Sequence, residues 1–176
     1  MTSPITESAP DLATVIALQQ CLYREARLLD EERYQDWLTM LDESVIYRLP
    51  MPQRRPRKVA SIASEPLPTY IFNDDLATLK MRIARLESGY VWSEDPQNGL
   101  RHLVNNVEVY AGDEAGTLEV MSVVEIHRAR LDAEQKRWTI ARRDTWRDCD
   151  GHWRLARRDG ALDTPVVVDS NMNFFF

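Results

Sequence analysis

An α+β fold is predicted, on three observations. Apolar residues recur at helical spacing through much of the first half of the chain, the period switches to two after Gly99, and the two kinds of segment do not alternate. Helices followed by a strand meander indicate a largely antiparallel sheet with the helices set against it.

The elements can be justified in order. Residues 1–10 carry two prolines and small polar side chains and read as a flexible tail, leaving 11–176 as one domain. From Asp11 to Asp30, the residues Leu12, Val15, Ile16, Leu22, Ala26 and Leu29 mark a first helix. A short second helix, about Glu32 to Leu41, presents Tyr34, Trp37, Leu38 and Leu41, and Val45 to Leu49 reads as a strand ending at Pro50. Five of the nine prolines fall in 50–68 with Arg54, Arg55, Arg57 and Lys58, a long basic loop of the kind that is solvated or ordered by a partner. Asn73 or Asp74 can cap a third helix carrying the stripe Leu76, Leu79, Ile83 and Leu86, with Gly89 beyond its end. Four strands are predicted over 101–110, 117–131, 137–147 and 152–162, punctuated by Gly112, Gly116 and Asp150-Gly151.

Composition narrows the function classes. The chain has 176 residues, 44% hydrophobic and 28% charged, enough for one domain with a proper core. A net charge of −6 argues against a general binder of nucleic acid or anionic membranes. Nineteen of the 22 basic residues are arginine, which suits bidentate ion pairs and packed interfaces better than lysine. Cys21 and Cys149 stand far apart without a C-x-x-C motif and read as small buried hydrophobes in a reducing, cytoplasmic setting. No basic-then-apolar leader and no run of about 20 apolar residues is present, so neither a signal peptide nor a membrane span is expected.

Two features ask for a structural role. Trp138-x-Ile140-x-Arg142-x-Asp144 recurs fifteen residues later as Trp153-x-Leu155-x-Arg157-x-Asp159. A two-residue hairpin turn at Asp150-Gly151 sets Arg142 opposite Asp159 and Asp144 opposite Arg157, an ion-pair network that fixes strand register. The closing Phe174-Phe175-Phe176 is apolar enough to require docking, against the core or against another subunit, since burying each ring is worth about 1.5–3 kcal/mol.

No catalytic constellation is visible. Of the three histidines, His127 shares its strand face with Glu119 and Glu125, a solvated pattern, and His152 lies beside the turn. His102 shares a face with Val104 and Tyr110 and is the one that could point into a cavity. No H-E-x-x-H-type spacing, Walker loop, G-x-G-x-x-G or nucleophile motif occurs, so no catalytic, cofactor or metal residue is assigned.

An ordered set of segments nevertheless resembles the small (β) subunit of bacterial Rieske-type aromatic ring-hydroxylating dioxygenases. The set begins with 25–30 (Glu-Ala-Arg-Leu-Leu-Asp), Tyr34 to Leu38, Tyr47 to Pro50 and Asn73-Asp74-Asp75. It continues with Arg82 to Leu86, Trp92 to Pro96 (Trp-Ser-Glu-Asp-Pro), Arg101-His102 to Val107, Arg142 to Asp144, Arg157 to Asp163 and Asn171 to Phe176. Two departures stand out: Asn98-Gly99-Leu100 replaces the family's Ser-Arg-Thr, and Trp146 occupies a usually aliphatic position.

The resemblance implies a cone-shaped curved sheet packed around N-terminal helices, similar to nuclear transport factor and scytalone dehydratase. It also implies a homotrimer of this chain carrying three large α subunits. Those subunits would hold the Rieske [2Fe-2S] cluster and the mononuclear Fe(II), with electrons arriving through a ferredoxin and reductase. This chain would itself carry no active site. Interface candidates on this reading are Trp92, Glu94, Asp95, Arg101 and Phe174–Phe176. Deleting the three phenylalanines is accordingly expected to impair assembly or solubility. The alternatives are a free-standing isomerase or dehydratase on the same cone, using His102, Tyr47, Asp30 or Asp144 as acid and base, and a small-ligand-binding module.

Overall fold

The computed structural model describes residues 10–52, 69–90, 97–130, 134–164 and 172–176. Its elements are α1 (Leu12–Asp30), α2 (Tyr34–Leu38), β1 (Leu41–Pro50), β2 (Tyr70–Asp74), α3 (Leu76–Glu87), β3 (Gly99–Ala111), β4 (Thr117–Arg130), β5 (Glu134–Cys149) and β6 (His152–Leu162). They form an α+β fold with one six-stranded curved sheet, in the order β2-β1-β6-β5-β4-β3. All neighbouring pairs are antiparallel except β1 and β6, which run parallel.

Local chemistry accounts for the helices. Asp11 caps α1, its carboxylate accepting from the Thr14 amide (3.0 Å) and hydroxyl (2.9 Å). The buried face of α1 runs through Leu18, Leu22, Glu25, Ala26 and Leu29, and the helix packs along β3. The third helix starts one residue later than expected. Asp75 is its cap because Asn73 and Asp74 are still paired with β1, opposite Arg48 and Tyr47. That makes 70–74 a strand absent from the sequence-based expectation, too short to show a period of its own and ending in two polar residues. Gly89 adopts φ +70° just beyond the C-cap Ser88, the left-handed geometry that ends helices. α2 is shorter than expected, and β1 begins at Leu41, inside the span assigned to helix.

Strand alternation builds the interior. Leu118, Val120, Val124 and Ile126 of β4 face the same side as Trp138, Ile140 and Trp146 of β5. That face closes over α1, α2 and Phe174–Phe176 to form a single core cluster. Several strand pairs carry register shifts, and two of these bulges, in β3 and β6, set what faces the interior. In β3 the register with β4 shifts between Asn105 and Glu108, where Asn106 takes φ +51°. The shift removes Tyr110 from the face of His102, and its hydroxyl instead donates to Glu108 (2.5 Å).

The second bulge overturns the expected ion-pair register. The Asp150-Gly151 turn forms as anticipated, with both residues at positive φ and Cys149 opposite His152, and symmetric pairing holds as far as Trp146 opposite Leu155. Ala156 is then the extra residue: Leu155 and Ala156 both point inward, and from there Thr145 pairs with Arg157. Asp144 therefore faces Arg158, not Arg157, and Arg142 faces Gly160, not Asp159. Gly160 is small for a reason, since a Cβ there would lie 2.6 Å from the Phe176 ring and 2.9 Å from Leu49.

Candidate functional site

The bulge in β6 turns Arg158 into the interior, where a charge must be matched to be tolerated. Its guanidinium donates to both Glu25 oxygens (Nη1 and Nη2, each 2.8 Å) and to both Asp144 oxygens (Nε 2.8 Å, Nη2 2.6 Å). Glu25, from α1, also accepts from the Trp37 indole (3.0 Å) and lies 3.6 Å from Arg142. Arg142 donates through Nε to Ser122 (3.0 Å), and its Nη2 has no hydrogen-bond partner among the described residues. Two carboxylates thus meet two guanidiniums, all of them buried.

The electrostatics follow from that balance. Burial alone would raise the Glu25 pKa, but the charge and hydrogen bonds of Arg158, with help from Arg142, outweigh it and hold the carboxyl below its ordinary value. Burial likewise works against the Arg158 charge, yet Asp144 and Glu25 push its pKa well above the ordinary arginine value. Arg142 goes the other way, lowered by burial first and by the Arg158 charge second.

The tail closes this cluster. Arg158 Nη1 and the Tyr47 hydroxyl (2.5 Å) both donate to the Phe176 carbonyl, and the Phe176 amide donates to the Tyr47 oxygen (2.6 Å). Burial raises the Tyr47 phenol to about 12. The unfolded phenol ionises near pH 10 and the folded one near 12, so the phenol's contribution is complete below pH 10 and lost as pH rises toward 12. Tyr47→Phe is expected to flatten the stability loss of the wild type between pH 10 and 12, an effect of up to about 3 kcal/mol by urea titration. An unaltered alkaline profile would contradict this burial of the phenol.

A second polar group sits beside the first. Asp30, at the end of α1, accepts from the His102 amide (2.9 Å) and contacts His102 Nδ1 at 2.6 Å, while Arg101 Nη1 donates to its other oxygen (3.0 Å). His102 Nε2 meets the Phe175 carbonyl, an acceptor, at 2.9 Å. The histidine expected to face a cavity does face the interior, but the tail already occupies the space in front of it.

The other sequence-derived residues fall as follows. Arg157 and Asp159 pair with each other along the outer face of β6, at 2.5 and 3.2 Å. His127 is half-exposed and 3.3 Å from Glu125, on the solvated side. Arg101 holds Asp30 while its side chain stays 68% exposed, beside an open cleft of about 370 Å3 that His127 and Lys136 also line. Trp92, Glu94 and Asp95 lie outside the described residues, as does most of the 50–68 loop. Phe174, Phe175 and Phe176 are 2%, 2% and 0% exposed within this one chain, so they belong to its own core and not to a free interface. Glu25, the acid that organises the cluster, was missed as a site residue: a lone Glu in the helical stripe carries no signal until Arg158 is known to face it.

Among the described residues no group of three or more His, Cys, Asp or Glu side chains converges as a metal site, and no helix is long and apolar enough to cross a membrane. Cys21 on α1 and Cys149 at the end of β5 are both free and sit apart on separate elements. This donor set does not fit a Rieske cluster, which needs two Cys and two His on adjoining motifs.

Curved-sheet cones of this kind form a recognisable structural class. The fold is shared with a Nostoc punctiforme protein of cystatin-like fold, 13% identical, matching 88% of this chain and 95% of that one with a TM-score of 0.59. Closer likeness is found to naphthalene 1,2-dioxygenase with indole bound in its active site: TM-score 0.86, 23% identity, 97% of this chain and 89% of the other. The β subunit of benzoate 1,2-dioxygenase from Burkholderia mallei matches 97% of this chain and 100% of its own, at 18% identity and a TM-score of 0.68. A family model described as the ring-hydroxylating β subunit matches residues 24–169. The chain belongs to that family: it is a β subunit of an aromatic ring-hydroxylating dioxygenase.

Proposed function

We propose that this chain is the non-catalytic, structural β subunit of its dioxygenase, a single folded unit over 11–176 that assembles and stabilises the iron-bearing α subunits in the cytoplasm. Three copies form a trimer that carries three α subunits. Those subunits hold the Rieske cluster and the mononuclear iron that dihydroxylate an aromatic ring, supplied with electrons by a ferredoxin and reductase. The observation that carries the scaffold reading is the filled interior: His102, Asp30, Tyr47 and Asp144, the candidate acids and bases, are all engaged by neighbours, two of them directly by the tail. A general acid or base needs an open position for a substrate within hydrogen-bond reach. We assign Arg101 and the cleft beside it to subunit contacts, and Trp92, Glu94 and Asp95 remain interface candidates on the sequence resemblance alone.

The test is expression of the chain alone and together with its large subunit, followed by native mass and iron analysis. The expected result is an iron-free oligomer alone, and an iron-containing heteromer with ring-hydroxylating activity only on co-expression. An isolated chain that stays monomeric and turns over a small molecule would sink the reading.

A further inference from the structure

Phe174–Phe176 is held as a bound ligand is held. Packing needs only the rings, yet each successive carbonyl also meets a side-chain donor from a different element. Arg82 of α3 donates to Phe174 (3.1 Å), His102 of β3 meets Phe175 (2.9 Å), and Tyr47 of β1 with Arg158 of β6 donates to Phe176. Three of these four donors are fixed by partners other than the tail: Arg82 by Asp74 (2.6 Å), His102 by Asp30, and Arg158 by Glu25 and Asp144. These donors are therefore positioned by groups other than the residue they bind, as the polar groups of a receptor are. The innermost ring position is also shaped for an arene. The Phe176 ring lies 4.6 Å from Tyr47 and 6.1 Å from Phe72 between centroids, over the bare Cα of Gly160.

We propose that this interior is a binding site for an aromatic ring carrying a carbonyl or carboxylate group whose carbon lies three bonds from the ring, filled here by the chain's own Phe176. Ring recognition comes from Tyr47, Phe72, Leu49 and Gly160, and oxygen recognition from Tyr47 and Arg158. The tail is the tethered ligand. Its tether gives it a high effective concentration, so a free molecule of the same chemistry competes poorly until the tail is weakened.

Phe176→Ala in the full-length chain empties the ring position and leaves the donors in place. Calorimetry and thermal shift with 3-phenylpropanamide, 3-phenylpropanoate and toluene then separate the possibilities. The expected result is one-to-one binding of an oxygen-bearing probe to the variant, at least tenfold tighter than to wild type and than toluene to the variant. Hydrogen exchange at the residue 176 amide should quicken as the probe displaces the tail. The ratio of amide to acid tells whether the oxygen is preferred neutral or charged. Toluene binding as well as either probe would mean a bare cavity and overturn the proposal, as would a folded variant with no saturable binding. If Phe176→Ala does not fold, Phe176→Leu, which keeps most of the packing, is measured with the same outcomes.

Discussion

Arg158→Leu is expected to destabilise the isolated chain by about 3–5 kcal/mol in urea unfolding, whereas Arg157→Leu is expected to stay within about 1 kcal/mol of wild type. The two arginines are neighbours in sequence, so composition, charge and length change identically in the two variants. What differs is the β6 bulge. Arg158 is fully buried between Glu25 and Asp144, and its loss strands two carboxylates in the interior with Arg142 as their one remaining cation among the described residues. Arg157 is 44% exposed at its side chain and bonds Asp159 on the outer face, where water screens the pair. Equal costs, or a larger cost for Arg157→Leu, would show that the strand continues without the extra residue at Ala156. The same cluster makes the protein acid-sensitive. The Glu25 pKa is lower folded than unfolded, so its contribution is fully present above the unfolded value of about 4.5 and is lost as pH falls through the folded one. Glu25→Gln should reduce stability near pH 7 and shrink that acid-side loss.

This contrast also marks how far the sequence could be read. The helices, the strand meander and the Asp150-Gly151 turn were legible because each has a local cause: a period, a cap, or a residue that tolerates positive φ. Asp144 and Arg142 could be placed on an inward face from alternation alone. Their partners could not, because a single bulged residue reverses the parity of everything beyond it. The repeated Trp-x-Leu/Ile-x-Arg-x-Asp pattern was therefore misleading in its second copy, where Trp153 and Leu155 precede the bulge and Arg157 and Asp159 follow it. Tyr110 was displaced from His102 by the same mechanism in β3. β2 escaped notice for a different reason: five residues with polar Asn73 and Asp74 at the end look like a helix cap, and only pairing with β1 makes them a strand.

Deleting Phe174–Phe176 is expected to unfold or grossly destabilise the chain by itself, before any partner is involved. The rings contribute roughly 5–9 kcal/mol of burial, a sum comparable with the whole stability of an ordinary domain. Their contacts are distributed through the core: Phe174 against Trp138 at 4.6 Å, Phe175 against Trp37 at 4.6 Å and Tyr34 at 5.8 Å, and Phe176 against Tyr47 at 4.6 Å. Arg82 stacks over both Phe72 (4.1 Å) and Phe175 (4.6 Å), tying α3 to the tail as well. Truncation would also leave Arg158, Tyr47 and His102 facing a void where two carbonyls had been. Any assembly defect in the truncated protein should accordingly be secondary to loss of the fold. Thermal unfolding of the isolated subunit distinguishes the two causes, with Phe175→Ala as the graded version at about 3–5 kcal/mol. A truncated chain that keeps the wild-type unfolding temperature but no longer binds its large subunit would move the three phenylalanines out of the core and back to the interface. The buried carbonyl contacts argue against that outcome, because an interface tail has no need of donors committed to it from four separate elements of its own chain.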